Sequence, residues 1–178
     1  MSPRRKSSAS HTPKEFAEKL VRDCRAIMMC PWYMRFFRTR LSPQKQSVQE
    51  FVTTAQGHRL STSVGGVLTG RGADYIIIDD PVKPTDALSD SIRKAANDWY
   101  DNTLFTRLND KRTGRIMIIM QRLHEDDLVG HLLEREGWEV LSFPAIAEQD
   151  ETFIVKTAFG SRKFTRNLGE GFILTGSR

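Results

Sequence analysis

Three observations predict an α/β fold with a mostly parallel sheet flanked by helices. The first is Tyr75-Ile76-Ile77-Ile78-Asp79-Asp80-Pro81: four consecutive apolar residues, three of them β-branched, have the pattern of a strand buried on both faces. The second is a matching run, Arg115-Ile116-Met117-Ile118-Ile119-Met120-Gln121. The third is the helical period kept between them by Leu88, Ile92, Ala95, Ala96, Trp99, Thr103, Leu104 and Leu108, with Asp90, Arg93, Lys94, Asp98 and Asp101 on the polar side. Strand, helical crossover and parallel strand make a βαβ unit, which brings Asp79-Asp80 and Gln121-Arg122 to one edge of the sheet. Ligands bind at that edge in open α/β sheets. Paired carboxylates there suit a cation or an activated water, although a buried strand running into an acidic turn explains the same residues. Pro81 ends the first run because it has no N–H to give a ladder.

The chain of 178 residues suits one domain with a core, and none of its apolar runs approaches the roughly 20 residues of a membrane span. Residues 1–10 are basic and Ser-rich without an apolar stretch, so they are not a secretory signal, and the cytoplasm is the expected compartment. The net charge of +5 is uneven: residues 1–50 carry +7, 51–150 carry −5 and 151–178 carry +3. Basic ends suit a phosphate backbone or a solvated face. Cys24 and Cys30 match neither a metal knuckle nor a redox pair and are expected to be reduced.

In chain order, Thr12-Pro13-Lys14-Glu15 is a capping box, and Phe16, Leu20, Cys24, Ile27 and Met28 follow at helical spacing up to Pro31. Residues 31–41 interleave aromatics with arginines. That pattern can bind nucleic acid, but Trp32, Phe36 and Phe37 at helical spacing favour a short helix anchored to the core. Segments 47–54 and 58–64 around Gln56-Gly57 predict a β-hairpin. Gly65-Gly66 and Thr69-Gly70-Arg71-Gly72 make a loop before the first apolar run, in which Arg71 is either a turn residue or a guanidinium exposed to phosphate. His124-Glu125-Asp126-Asp127 complements the dipole of a short helix through Leu128, Val129, Leu132 and Leu133. A metal site from His124, His131 and these acids lacks a third spacing. Residues 138–143 read as a third strand, 152–157 and 162–165 as a second hairpin, and 167–178 as a loose tail.

Several of these stretches together resemble one family. Ala17-Glu18-Lys19-Leu20 with Arg22-Asp23-Cys24-Arg25, Gly65-Gly66, Thr69-Gly70-Arg71-Gly72-Ala73-Asp74, Ile76-Ile77-Ile78-Asp79-Asp80-Pro81, Trp99-Tyr100 and Ile118-Ile119-Met120-Gln121-Arg122-Leu123-His124-Glu125-Asp126-Asp127-Leu128 resemble the ATPase domain of tailed-phage and prophage terminase large subunits, over residues 8–166. The resemblance implies a P-loop NTPase fold and a motor that couples ATP hydrolysis to packaging of double-stranded DNA into a procapsid. Its implied cofactors are ATP and Mg²⁺, and its implied partners are a terminase small subunit, a portal protein and further copies of the chain in a ring, in the cytoplasm of a bacterial host. Asp79 then holds the Mg²⁺ through water and Asp80 orients the attacking water. Gln121 and Arg122 sense the γ-phosphate, and Arg71 is similar to an arginine finger inserted into a neighbouring subunit's site.

Three departures accompany the resemblance. Asp80 stands where most of the family has Glu. No Gly-x-x-x-x-Gly-Lys-Ser/Thr occurs in the sequence, and no RNase-H-like nuclease follows Pro144. The expectation is a fragment: a basic start at 1–10, a partial ATPase domain over 11–150 that is incomplete at its N-terminus, and a hairpin and tail over 151–178. Two other classes compete with this reading. One is a metal-dependent nuclease or phosphohydrolase with Asp79, Asp80 and Asp74 as ligands and Asp126 and Asp127 as further candidates. The other is a non-catalytic DNA-binding or assembly remnant.

Overall fold

A computed structural model describes residues 13–66, 68, 70–135, 137–157 and 159–171. The chain forms two compact units, 1–134 and 135–178, with mixed α/β structure built on short sheets. No helix among the described residues is long and apolar enough to cross a membrane.

The first unit begins with α1 (Pro13–Met29), whose expected cap Thr12 lies outside the described residues, as does the start at 1–10. Its buried stripe is Val21 and Met28 packed with Phe51, joined by the half-buried Cys24, Tyr33 and Leu41. Phe16 and Ile27, predicted to face inward, are exposed. Pro31 does more than stop α1, because it opens α2 (Pro31–Phe36) at the first helical position, where its missing N–H costs nothing. The short helix matches expectation but its anchors do not: Trp32, Phe36 and Phe37 all lie open, and Tyr33 turns inward instead. Cys24 and Cys30 are both free thiols.

β1 (Leu41–Gln46), β2 (Glu50–Thr53) and β3 (His58–Leu60) follow as an antiparallel sheet in that order. The hairpin expected at Gln56-Gly57 joins β2 to β3, with Phe51 opposite Arg59. Gln56 turns the chain at φ +63, and Thr53 donates its N–H to Gly57 O at 2.7 Å.

The two long apolar runs become β4 (Tyr75–Asp79) and β5 (Arg115–Ile119), paired parallel in register from Tyr75↔Arg115 to Asp79↔Ile119. Ahead of them, Ala73 makes an isolated parallel bridge with Leu108, before the turn that leads into β5. Among the described residues this two-stranded sheet is the parallel one and the other two sheets are antiparallel, so the sheets together are not mostly parallel. Burial on both faces is also overturned. Ile78 is buried, whereas Tyr75, Ile77, Met117 and Ile119 stand on one face that is more than half exposed at each of them.

The predicted long helix is α3 (Asp90–Trp99) continued by a π-helical turn (Tyr100–Leu104) and a 3₁₀ turn (Phe105–Arg107). Ala96, Tyr100 and Leu104 carry its buried stripe, while Leu88, before α3, is exposed. Arg93, expected on the polar side, is buried. Its Nη1 donates to Ala87 O at 2.7 Å and its Nη2 pairs with Asp90, which offsets part of the cost of burying the charge, while Nε has no partner among the described residues. α4 (Leu128–Leu133) buries Leu128 and Leu132, and its His131 lies 2.9 Å from Asp101 of the π-helical turn.

In the second unit β6 (Glu151–Thr157) and β7 (Gly160–Arg166) form the second predicted hairpin. Arg166 at its base donates twice to Pro144 O at 2.9 Å and pairs with Glu151 at 3.1 Å. The third strand expected over 138–143 is not one: Val140, Leu141 and Phe143 are exposed. Phe143 instead packs its ring 5.0 Å from that of Phe153. The tail contributes an antiparallel bridge between Gly171 and Ile146, and residues 172–178 lie outside the description.

Candidate functional site

The parallel register carries the carboxylates of β4 to the tip of β5. Asp80 N donates to Ile119 O at 2.9 Å, which extends the ladder one residue past β4. Asp80 then takes φ +40, a left-handed conformation that Asp tolerates better than most side chains. Its Oδ1 accepts from Gln121 N at 3.4 Å, so the two strand tips are joined across the edge. Asp79, Asp80 and Gln121 are all exposed there. Exposed paired carboxylates on a hydrogen-bonded edge are open to a hydrated cation.

Arg122, the next residue, has a different task. Its Nε donates to Asp127 Oδ2 at 2.9 Å and its Nη2 to Glu125 O at 3.2 Å. The buried Asp127 also caps α4 by accepting from Gly130 N at 2.9 Å, and it accepts from Leu123 N at 3.3 Å. Acidic complementarity at this helix start is therefore concentrated in one residue. A Cβ at position 130 would lie 1.7 Å from Glu125 O, so glycine lets the loop after β5 close against α4. Arg122 fixes the loop that carries Gln121, and its guanidinium is committed to that loop.

Arg71 is held elsewhere. Its guanidinium makes a two-pronged contact with Glu50 of β2 at 2.7 and 3.2 Å, and Lys45 Nζ approaches the same carboxylate at 2.9 Å. The hydrogen bond from Lys45, followed by the charge of Arg71, holds the buried Glu50 carboxyl below the usual carboxylate range. The Arg71 side chain is 43% exposed, and its guanidinium is at the same time paired with Glu50.

The candidate residues thus divide. Asp79, Asp80 and Gln121 come together at one edge, Arg122 supports that edge from the adjoining loop, and Arg71 is clamped to β2. Asp74 does not join them, because it precedes β4 and accepts from Asn109 Nδ2 at 2.9 Å at the opposite end of the strand. Asp127 is consumed as a cap. No group of three His, Cys, Asp or Glu side chains suited to a metal forms among the described residues, and His124 and His131 have separate contacts with Asp126 and Asp101. A cleft of about 300 Å³ lies between α1 and the end of β3, lined by Ala17, Glu18, Gln49 and residues 60–63, away from the carboxylate edge. Glu50 is the site residue that sequence reasoning missed; its one signal was an acid ending a run from Cys24 to Gln49 that has five cations and no carboxylate.

No family model, curated protein or solved structure matches the chain.

Proposed function

We propose that this chain is the part of a terminase-like DNA-packaging ATPase that carries the Mg²⁺ and water-orienting carboxylates, on a P-loop NTPase type of sheet. The observation that carries the reading is the parallel β4–β5 pair with Asp80 bonded to the Gln121 N–H across its carboxyl edge. In such a motor the first carboxylate, Asp79, holds the waters of a nucleotide-bound Mg²⁺, and Asp80 aligns the attacking water. Gln121 sits one hydrogen bond from Asp80, so γ-phosphate loss at the acid reaches the β5 tip and the loop that Arg122 pins to α4. The reading requires a phosphate-binding loop from outside these 178 residues, because the sequence has no glycine-lysine loop to cradle a triphosphate.

Arg71 enters as the residue that completes a neighbouring subunit's site after leaving Glu50. The exposed fraction of its side chain, 43%, leaves the guanidinium within reach of solvent. The test uses the chain joined to a phosphate-binding loop and assembled as a ring. Arg71→Ala subunits and Asp80→Asn subunits are each expected to lose roughly 10³-fold in ATP turnover, and mixing them is expected to restore part of it. A mixture that stays inactive while both variants assemble removes Arg71 from the site, and turnover unaffected by Asp80→Asn removes the proposal.

A further inference from the structure

The aromatic residues that sequence spacing assigned to the core stand on the surface beside unpaired cations. Trp32 and Phe36 lie one helical turn apart on α2 and are 55% and 75% exposed, and Phe37 beyond the helix is 49% exposed. Phe37 stacks on Tyr33 with ring centres 4.7 Å apart, and Trp32 meets Phe37 edge-on at 6.3 Å, so Trp32, Tyr33 and Phe37 form one cluster, with Phe36 one turn along α2 from Trp32. Clustered exposed aromatics of this size mark a binding surface.

The charges around the rings say what kind. From Cys24 to Gln49 the sequence has five cations and no carboxylate. Arg25 is taken up by Gln46 and Ser47, and Lys45 by Glu50. Arg40 donates to the carbonyls of Phe37, Thr39 and Met34, which ties the segment after α2 back onto the helix and sets the rings in place. Arg35 and Arg38, interleaved with the rings, are exposed and make no ion pair or side-chain hydrogen bond among the described residues. An acid-free stretch with exposed aromatic faces and two uncommitted guanidinium groups matches a ligand with flat π-faces along an anionic backbone.

We infer that residues 32–38 form a stacking platform for single-stranded nucleic acid, with bases on Trp32 and Phe36 and phosphates on Arg35 and Arg38. Unpaired bases are the specific requirement, since a duplex hides their faces and offers the rings nothing to stack on. The platform is independent of the carboxylate edge and goes beyond the packaging reading, which calls for duplex DNA. It requires neither ATP nor Mg²⁺, so its failure and the failure of that reading are separate results.

The test is fluorescence anisotropy of the full chain with labelled oligothymidylate of about 12 nucleotides, within the site size of one single-strand module, competed by unlabelled duplex of equal length. The expected result is tighter binding of the single strand, with quenching of tryptophan emission that Trp32→Ala removes. Phe36→Ala, at the most exposed ring and so with least risk to folding, is expected to weaken binding roughly 5- to 100-fold, the cost of one lost stack. The double variant Arg35→Gln/Arg38→Gln is expected to reduce the slope of log affinity against log salt by about 1.4, two single-strand phosphate contacts. Equal affinity for duplex, binding unchanged in the Phe36 and double-arginine variants, or no binding of the oligonucleotide at low salt overturns the inference.

Discussion

The antiparallel sheet β1–β3 and the parallel pair β4–β5 belong to the same unit, yet they treat their apolar residues in opposite ways. Phe51 of β2 is 3% exposed beneath α1, whereas Ile77 of β4 is 67% exposed. Helix α1 lies over the first sheet and supplies Val21 and Met28 to one side of it. One face of β4–β5 carries Tyr75, Ile77, Met117 and Ile119 in the open, while Ile78 points to the buried side. A sheet with one polar and one packed face is complete with a single covering layer, and a parallel pair whose two faces are both apolar is not. The strand rich in isoleucine is thus the less finished of the two, and the carboxylate edge stands on it.

Truncating the packed ring sharpens the contrast most. Phe51→Ala is expected to cost about 3–5 kcal/mol, since the cavity opens inside a covered cluster; urea denaturation followed by circular dichroism measures it. Within β4 the two neighbours should part company: Ile78→Ala costs about 2–4 kcal/mol, and Ile77→Ala stays within about 1 kcal/mol because most of that side chain is already in water. Equal losses at 77 and 78 would mean that the open face is covered in solution.

The third test concerns charge rather than packing. Glu50→Gln is expected to cost about 1–3 kcal/mol at neutral pH by removing charge-assisted bonds to Lys45 and Arg71. A carboxyl held below its ordinary value near 4.5 contributes stability that is complete above that value and is lost as pH falls through the lower folded one. Melting temperature measured down through pH 4 should therefore fall more steeply for the parent chain than for Glu50→Gln.

What the sequence disclosed follows the same division. Apolar runs bounded by Pro81 and by Gln121, with a helical period between them, dictated a parallel pair in one register, and the meeting of Asp80 with Gln121 came with it. Whether those strands would be covered was illegible, because a run of isoleucines expresses a preference for burial and not the presence of a partner. Polar β1, Leu41-Ser42-Pro43-Gln44-Lys45-Gln46, gave no strand signal, since its role is to pair with β2 and present Lys45 to Glu50. The clasp of Arg71 by Glu50 and that of Arg122 by Asp127 are side-chain choices among several nearby acids, which spacing cannot rank. The aromatic segment after Pro31 failed for a further reason: helical spacing names the residues that share a face but not the face that turns inward.

The proposed nucleotide chemistry at the edge joined by Asp80 and Gln121 is tested most directly by comparing two amide substitutions. In the chain joined to a phosphate-binding loop, Mg²⁺-ATP affinity and single-turnover hydrolysis are measured for Asp79→Asn and Asp80→Asn. Asn is also among the side chains that tolerate the backbone at position 80, so the second substitution removes charge while keeping the turn. The account predicts a split: Asp79→Asn weakens Mg²⁺-nucleotide binding, and Asp80→Asn leaves binding nearly intact while abolishing turnover, because an aligned water matters in the transition state. Two variants that bind and hydrolyse as the parent does would contradict it.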